Sequence, residues 1–319
     1  MSALRDRARR TIRHRGHRAR DRLLNTRDLG LRRTSIAHTM PFPGFCARAA
    51  ADPLTFATFK RSDEMRAVVE GLTYDDGARY LATLLEELPA AAALFDRFRD
   101  NDRLGAPETH DYGPYGRFSP TTVRYARVFG DLVARFGSLD GLRIIEIGGG
   151  YGGQCFVVNA GATPASYALV DLDPVLALQE RYLSALGVPN VSFVPARDLD
   201  PGAEYDLVIS NYAFSECVRR VQRRYLETVL RRSRCGYLIC NWLSLRGRSV
   251  SLTRGELLTA VPEAVFVPER PATAARTEIL LWGMRAGATS AAARARTSRQ
   301  PATPRPSVDR ETPAPSTAG

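Results

Sequence analysis

The chain has 319 residues, 44% hydrophobic and 25% charged, which suits one large or two modest domains of an ordinary soluble protein. Its formal charge of +11 sits in its ends: residues 1–60 carry a net +10 and residues 284–319 a net +4, leaving −3 for residues 61–283. A folded nucleic-acid-binding face should itself be basic, so no nucleic-acid partner is expected. The longest apolar run, residues 88–95, is too short and too Ala-rich to span a bilayer.

Five cysteines, Cys46, Cys155, Cys217, Cys235 and Cys240, are odd in number and form no CxxC pair, which argues against a disulfide scaffold and against zinc. A reducing cytoplasm is the expected compartment. Only one lysine stands against 44 arginines.

Residues 1–33 read as a basic, flexible arm, either solvated or touching phosphates, acidic lipid or an acidic partner. The arm lacks the serine content and apolar core of a targeting signal. Residues 34–136 read as a helical region, with periodic apolar positions over 65–72 and 80–98 and a Gly/Pro/Asp-rich break over 101–116. Ser119 before Pro120 marks a helix start, and residues 123–136 keep helical spacing.

From residue 137 to 283 the pattern alternates. Strands are expected at 143–147, 167–171, 191–195, 205–210 and 236–241, and helices at 154–159, 175–186 and 222–231. Such alternation implies an α/β fold with a mostly parallel sheet covered on both faces. Runs 264–267 and 277–282 lie too close for a crossover helix, so the sheet should close in an antiparallel pair. The Ala/Thr/Pro/Arg-rich tail, 284–319, has no periodic apolar face and is expected to be disordered.

The segment Ile144-Ile145-Glu146-Ile147-Gly148-Gly149-Gly150-Tyr151-Gly152-Gly153-Gln154 carries the most chemistry. A β-branched strand runs into a glycine turn, and an apolar helix follows. Glycine supplies positive φ and close backbone approach, and the new helix aims N–H groups at a ligand over the turn. Gly148, Gly150 and Gly153 satisfy the dinucleotide pattern, whereas Gly148, Gly150 and Gly152 satisfy that of S-adenosylmethionine. Three features favour the methyl donor: Glu146 two residues before Gly148, the closing antiparallel pair, and no separate catalytic domain after the sheet. Asp171, ending the second strand, is then the ribose partner, and Asp198 is a candidate for the adenine edge. Asp173 before Pro174 reads as a helix N-cap. Tyr151 either lies over the methionine portion of that cofactor or packs on the sheet.

Four ordered segments resemble a family of sugar O-methyltransferases: Asn101-Asp102-Arg103-Leu104-Gly105-Ala106-Pro107, Ser119-Pro120-Thr121-Thr122-Val123-Arg124-Tyr125, Glu146 to Gln154, and Ser210-Asn211-Tyr212-Ala213-Phe214-Ser215-Glu216. The resemblance covers roughly residues 60–283. It implies the Rossmann-like class I methyltransferase fold, S-adenosylmethionine, and a sugar hydroxyl of a glycosylated natural product, nucleotide sugar or polysaccharide as acceptor. It supplies no catalytic base. The competing readings are transfer to another small molecule, a nicotinamide-dependent oxidoreductase on the same glycine loop, and a non-catalytic domain binding a partner through its arm.

Methyl transfer to a neutral hydroxyl needs a positioned base. Glu216 is the leading candidate, with Asn211 or Tyr212 orienting the acceptor and Asn241, with Trp242, lining its pocket. His110 with Asp111 is the second candidate, as a base and its orienting carboxylate or as ligands of a divalent metal.

Overall fold

The computed structural model describes residues 41–285, except 243, 246, 247, 250 and 275. The basic arm, and the tail from residue 286, lie outside the described residues. The chain begins with helices α1 (Phe42–Ala51), α2 (Pro53–Thr58), α3 (Asp63–Val68) and α4 (Tyr74–Glu87). Apolar spacing continues to residue 98, yet α4 stops at Glu87. Pro89 has no N–H to donate and drives Leu88 out of the helical region, so a 3-10 turn, Pro89–Leu94, and the short α5 (Phe95–Phe98) take over.

The polar break holds structure that periodicity does not signal. A small antiparallel hairpin pairs β1 (His110–Asp111) with β2 (Arg117–Phe118). Helix α6 (Pro120–Phe136) then starts as expected, with the Ser119 hydroxyl accepting the Thr122 N–H at 3.1 Å and Pro120 in the first turn.

Strand β3 (Arg143–Ile147) leads through the glycine turn into α7 (Gly153–Gly161). Then come β4 (Ser166–Asp171), α8 (Asp173–Ala185), β5 (Val191–Pro195), β6 (Tyr205–Asn211), α9 (Ala213–Glu216), α10 (Arg219–Thr228) and β7 (Ser233–Cys240). A small hairpin, β8 (Ser244–Leu245) and β9 (Arg248–Ser249), α11 (Arg254–Ala260), β10 (Val265–Pro268) and β11 (Glu278–Trp282) complete the described chain.

The main sheet has seven strands in the order β10-β11-β7-β6-β3-β4-β5. Strands β3 to β7 run parallel, while β11 is antiparallel to both β7 and β10. The central parallel strands β3, β4, β6 and β7 are buried on both faces over much of their length, which is why their sequences hold near-continuous apolar runs. Ile145, Ile147, Val208 and Leu238 meet Tyr225, Leu226 and Leu257 in a core on one side. Helix α6 packs on α4 and α7, and α1 packs on α8. The connections from β3 leave toward β4 on one side of it, and β6 returns on the other. Strand order therefore reverses at β3, and the carboxyl ends of β3 and β6 border the crevice where such sheets take ligands.

Candidate functional site

Three glycines of the turn after β3 hold positive φ angles: Gly148 +75°, Gly150 +60° and Gly152 +98°. Space is as limiting as conformation. A Cβ on Gly148 would run into the Cβ of Ala213, at the start of α9, and one on Gly150 would come 3.3 Å from Val69 Cγ2. Gly152 is the N-cap of α7 and offers no side-chain cap, so the first N–H groups of that helix remain available to a ligand. Gly148→Ala should cost about 2 kcal/mol from backbone strain alone, measured by denaturant unfolding. A second substitution, Ala213→Gly, should recover only the steric part; wild-type stability in the single variant would refute this account of the turn.

The other three family-like segments converge on this turn. Asp102 accepts the Ser119 N–H at 2.6 Å, and the hydroxyls of Ser119 and Thr122 at 2.8 Å each. The Asn101 amide donates to Thr122 Oγ1 at 2.6 Å and to the Tyr151 hydroxyl at 3.1 Å. On the other side, Ser210 Oγ donates to the Ile147 carbonyl at 2.9 Å and accepts the Phe214 N–H at 3.0 Å. Local chain stiffness cannot bring these distant segments together. Buried polar groups that must all be paired can, because each leaves a costly orphan if the others move away.

Tyr151 takes the packed position. It is fully buried, edge-on to Phe59, Tyr125 and Tyr182, with the ammonium of Lys60 4.5 Å from its ring centre. Lys60, the lone lysine, is itself buried, donating to the Asn101 carbonyl and lying 4.0 Å from Asp102. Desolvation lowers its pKa, with Asp102 and Glu70 opposing. Gln154 is also fully buried, its amide donating to the Tyr125 carbonyl at 3.2 Å and accepting from Asn211 at 3.4 Å.

The acidic candidates separate by environment. Glu146 is only 1% exposed and accepts the Tyr167 hydroxyl at 2.8 Å, beneath the turn. Burial pushes its carboxyl up to about 7, against the lowering effect of Tyr167. Asp171, at the end of β4, accepts the Leu172 N–H at 2.8 Å and the Gln179 amide at 3.2 Å, and Gln179 also donates to the Gly150 carbonyl at 3.0 Å. Burial raises Asp171 to about 7 as well, with those donors partly opposing. The turn and the β4 carboxylate are thus tied through one amide. Asp198 is exposed and faces Arg197 at 3.5 Å. Asp173 is not the cap: it is the first helical residue of α8, Leu172 is the N-cap, and the Asp173 carboxylate pairs with Arg197.

Beyond β6 the acceptor-side candidates cluster. Tyr212 holds φ +72°, a strained conformation for a non-glycine residue of the kind that gathers at functional sites. Its hydroxyl donates to Glu269 at 2.5 Å, and burial holds that hydroxyl protonated by pushing its pKa well up. Thr273 bridges Tyr212 and Glu269, and Tyr80 of α4 reaches Thr273. The Asn241 amide donates to Glu216 Oε1 at 2.7 Å and accepts from Ser215 Oγ at 2.9 Å, which orients the carboxylate. Asn211 Oδ1 is buried with no hydrogen-bond partner. Trp242 turns its indole N–H to Glu278 at 3.0 Å and its ring to Phe266.

His110 and Asp111 do not form a pair. Successive strand residues point to opposite faces, so His110 lines a small polar pocket with Lys60, Glu70 and Glu108, its Nε2 3.8 Å from Glu108. Asp111 is exposed and accepts the Gly113 N–H at 2.9 Å. Among the described residues no group of three or more His, Cys, Asp or Glu side chains is placed to hold a metal ion. No helix there is long and apolar enough to cross a membrane.

Sequence reasoning assigned no role to Tyr80, Glu269 and Thr273, since a helix residue and two residues of the distant β10–β11 connection leave no common local pattern. It also assigned none to Glu70 and Arg124, although Arg124 lies inside a family-like segment.

The donor set fits a nucleoside cofactor carrying an amino acid. The glycine turn is a cradle that a Cβ would fill, Gln179 ties Asp171 to it, and Asn211, bonded to Gln154 through its amide, keeps an unpartnered buried Oδ1. A mostly parallel seven-stranded sheet in this order, closed by an antiparallel hairpin, is the Rossmann-like class I methyltransferase fold, preceded here by a helical region.

No family model matches the sequence, and no curated protein does. Solved structures do align with it. Magnesium protoporphyrin IX methyltransferase from Synechocystis PCC 6803 with bound SAH gives a TM-score of 0.40 at 15% identity, covering 64% of this chain and 97% of that one. The N-terminal domain of EvdMO1 in the presence of SAH and D-fucose gives 0.38 at 19%, covering 50% and 82%. The pyocyanin biosynthetic protein PhzM gives 0.38 at 13%, covering 52% of this chain and 58% of that one. At these identities and scores the likeness stops short of function.

Proposed function

We propose that this chain is an S-adenosylmethionine-dependent O-methyltransferase acting on a sugar hydroxyl. The observation that carries the reading is the convergence of three family-like segments on a fourth, the glycine turn, at the switch point of a sheet with class I order. The sugar as acceptor rests on the resemblance of those segments. Antiparallel β11 beside β7 favours the methyl donor over a dinucleotide, whose fold continues into a second parallel half.

In this reading the glycine turn and the start of α7 hold the cofactor's amino-acid end, Asp171 its ribose hydroxyls, and Asn211 its central polar edge. The bound cofactor supplies a methyl group made electrophilic by sulfonium charge. The protein's own task is to orient a hydroxyl and remove its proton. Glu216, aligned by Asn241, accepts that proton at its carboxylate. Tyr212, strained and fixed by Glu269 and Thr273, forms the wall against which the sugar is positioned. Val69, Tyr80 and Arg124 come from the helical region and cover the same crevice, which excludes water from the reacting atoms.

Calorimetric titration with S-adenosylmethionine and with NAD tests the reading. Binding of the methyl donor alone is expected. Binding of NAD alone would replace the proposal with the oxidoreductase.

A further inference from the structure

Two charged side chains beside the glycine turn remain without a counterion at ion-pair distance. Arg124, on α6, is partly buried. Its guanidinium lies 5.4 Å from the Tyr125 ring centre and 6.0 Å from that of Tyr212, and among the described residues it makes no ion pair. Glu70 follows Val69, the residue that packs on Gly150, and its Oε1 is buried with no hydrogen-bond partner. Burial pushes the pKa of the Glu70 carboxyl up, against the nearby Lys60 charge and hydrogen bonds from Thr121 and Tyr151 that leave Oε1 without a donor. Arg124 and Glu70 feel each other's charge without touching.

A guanidinium without an ion pair and a carboxyl oxygen without a donor, in one partly desolvated place, are each costly. Their cost is removed together by a ligand that carries the opposite two charges on neighbouring atoms. An α-amino acid does so, with carboxylate and ammonium on one carbon. The positions agree with this. Val69 and the Tyr125 hydroxyl approach the Cβ position of Gly150 at 3.3 and 4.0 Å, so residues adjacent in sequence to Glu70 and Arg124 flank the turn itself.

We propose that Arg124 and Glu70 form a clamp for the amino-acid end of the cofactor, Arg124 taking the α-carboxylate and Glu70 the α-ammonium. This assignment rests on the S-adenosylmethionine reading above and deepens it. It gives the glycine turn a supporting rather than a charge-reading role toward that end, and it leaves Glu146 beneath the turn, bonded to Tyr167. The helical region then becomes part of the cofactor site rather than only an acceptor cover, because both clamp residues come from it.

Three probes separate the two charges: S-adenosylhomocysteine carries both, decarboxylated S-adenosylmethionine keeps only the amine, and 5′-methylthioadenosine has neither. Calorimetry on the full chain should show Arg124→Gln weakening S-adenosylhomocysteine by roughly 10- to 100-fold while sparing the other two probes. Glu70→Gln should weaken both amine-bearing probes by roughly 10-fold and spare 5′-methylthioadenosine. The spared probe also reports that each variant is folded; should either fail to fold, Arg124→Lys and Glu70→Asp replace them, with the same probe selectivity expected. Equal loss across all three probes, or undiminished affinity for S-adenosylhomocysteine, overturns the clamp while the methyl-donor reading stands. If the wild-type chain binds none of the probes, the cofactor reading falls and the clamp with it.

Discussion

Glu216→Gln is expected to lower the methyl-transfer rate by roughly 10²- to 10⁴-fold, the contribution of a positioned general base, with affinity for S-adenosylhomocysteine unchanged. The amide keeps the shape and can still pair with Asn241, so the loop should fold as before. What it cannot do is accept a proton from a hydroxyl. Asn241→Ala should give a smaller loss, about 10-fold, because the carboxylate survives and only its alignment is removed. Turnover in Glu216→Gln close to the wild-type rate would transfer the base to another group, with His110, in the pocket with Glu70 and Lys60, as the remaining candidate. A parallel loss of cofactor affinity would instead mark Glu216 as part of the binding site.

Asp171→Asn is expected to weaken cofactor binding by roughly 100-fold, since two charge-assisted hydrogen bonds from ribose hydroxyls are at stake. The same residue gives binding a pH dependence. Burial raises the Asp171 carboxyl to about 7, so below that pH it is protonated before the cofactor arrives. Ribose hydroxyls donate to the ionised form, so binding must release the proton. Affinity should therefore be greatest above pH 7 and fall toward about tenfold per pH unit well below it. In Asp171→Asn that slope between pH 6 and 8 should flatten. A wild-type affinity independent of pH over this range, or an unchanged slope in the variant, would remove Asp171 from the ribose.

The sheet was largely legible in the sequence because burial on both faces forces its central parallel strands to be apolar, and edge strand β5 keeps β-branched and aromatic residues between turn signals. Arg143–Ile147 and Val191–Pro195 match the expected spans residue for residue. The antiparallel closure could be inferred from chain length alone, since too few residues separate Val265–Pro268 from Glu278–Trp282 for a crossover. The helical region was less legible. Periodic apolar positions ran through Pro89, but proline's missing N–H and its effect on Leu88 decided where the helix ended. The His110 and Asp111 pairing failed for an equally local reason: the segment is a strand, and a strand sends neighbours to opposite faces.

The sequence by itself determined the glycine turn, its acidic neighbours and the alternating sheet, because each is written in residues close along the chain and depends on backbone conformation or burial. Only the tertiary structure decided which distant groups face one another across the turn. Tyr212 meets Glu269 and Thr273, Asp102 gathers Ser119 and Thr122, and Glu70 Oε1 and Asn211 Oδ1 are left without hydrogen-bond partners. Pairing and non-pairing of buried polar groups are properties of three-dimensional packing, and one chain carries no local record of them.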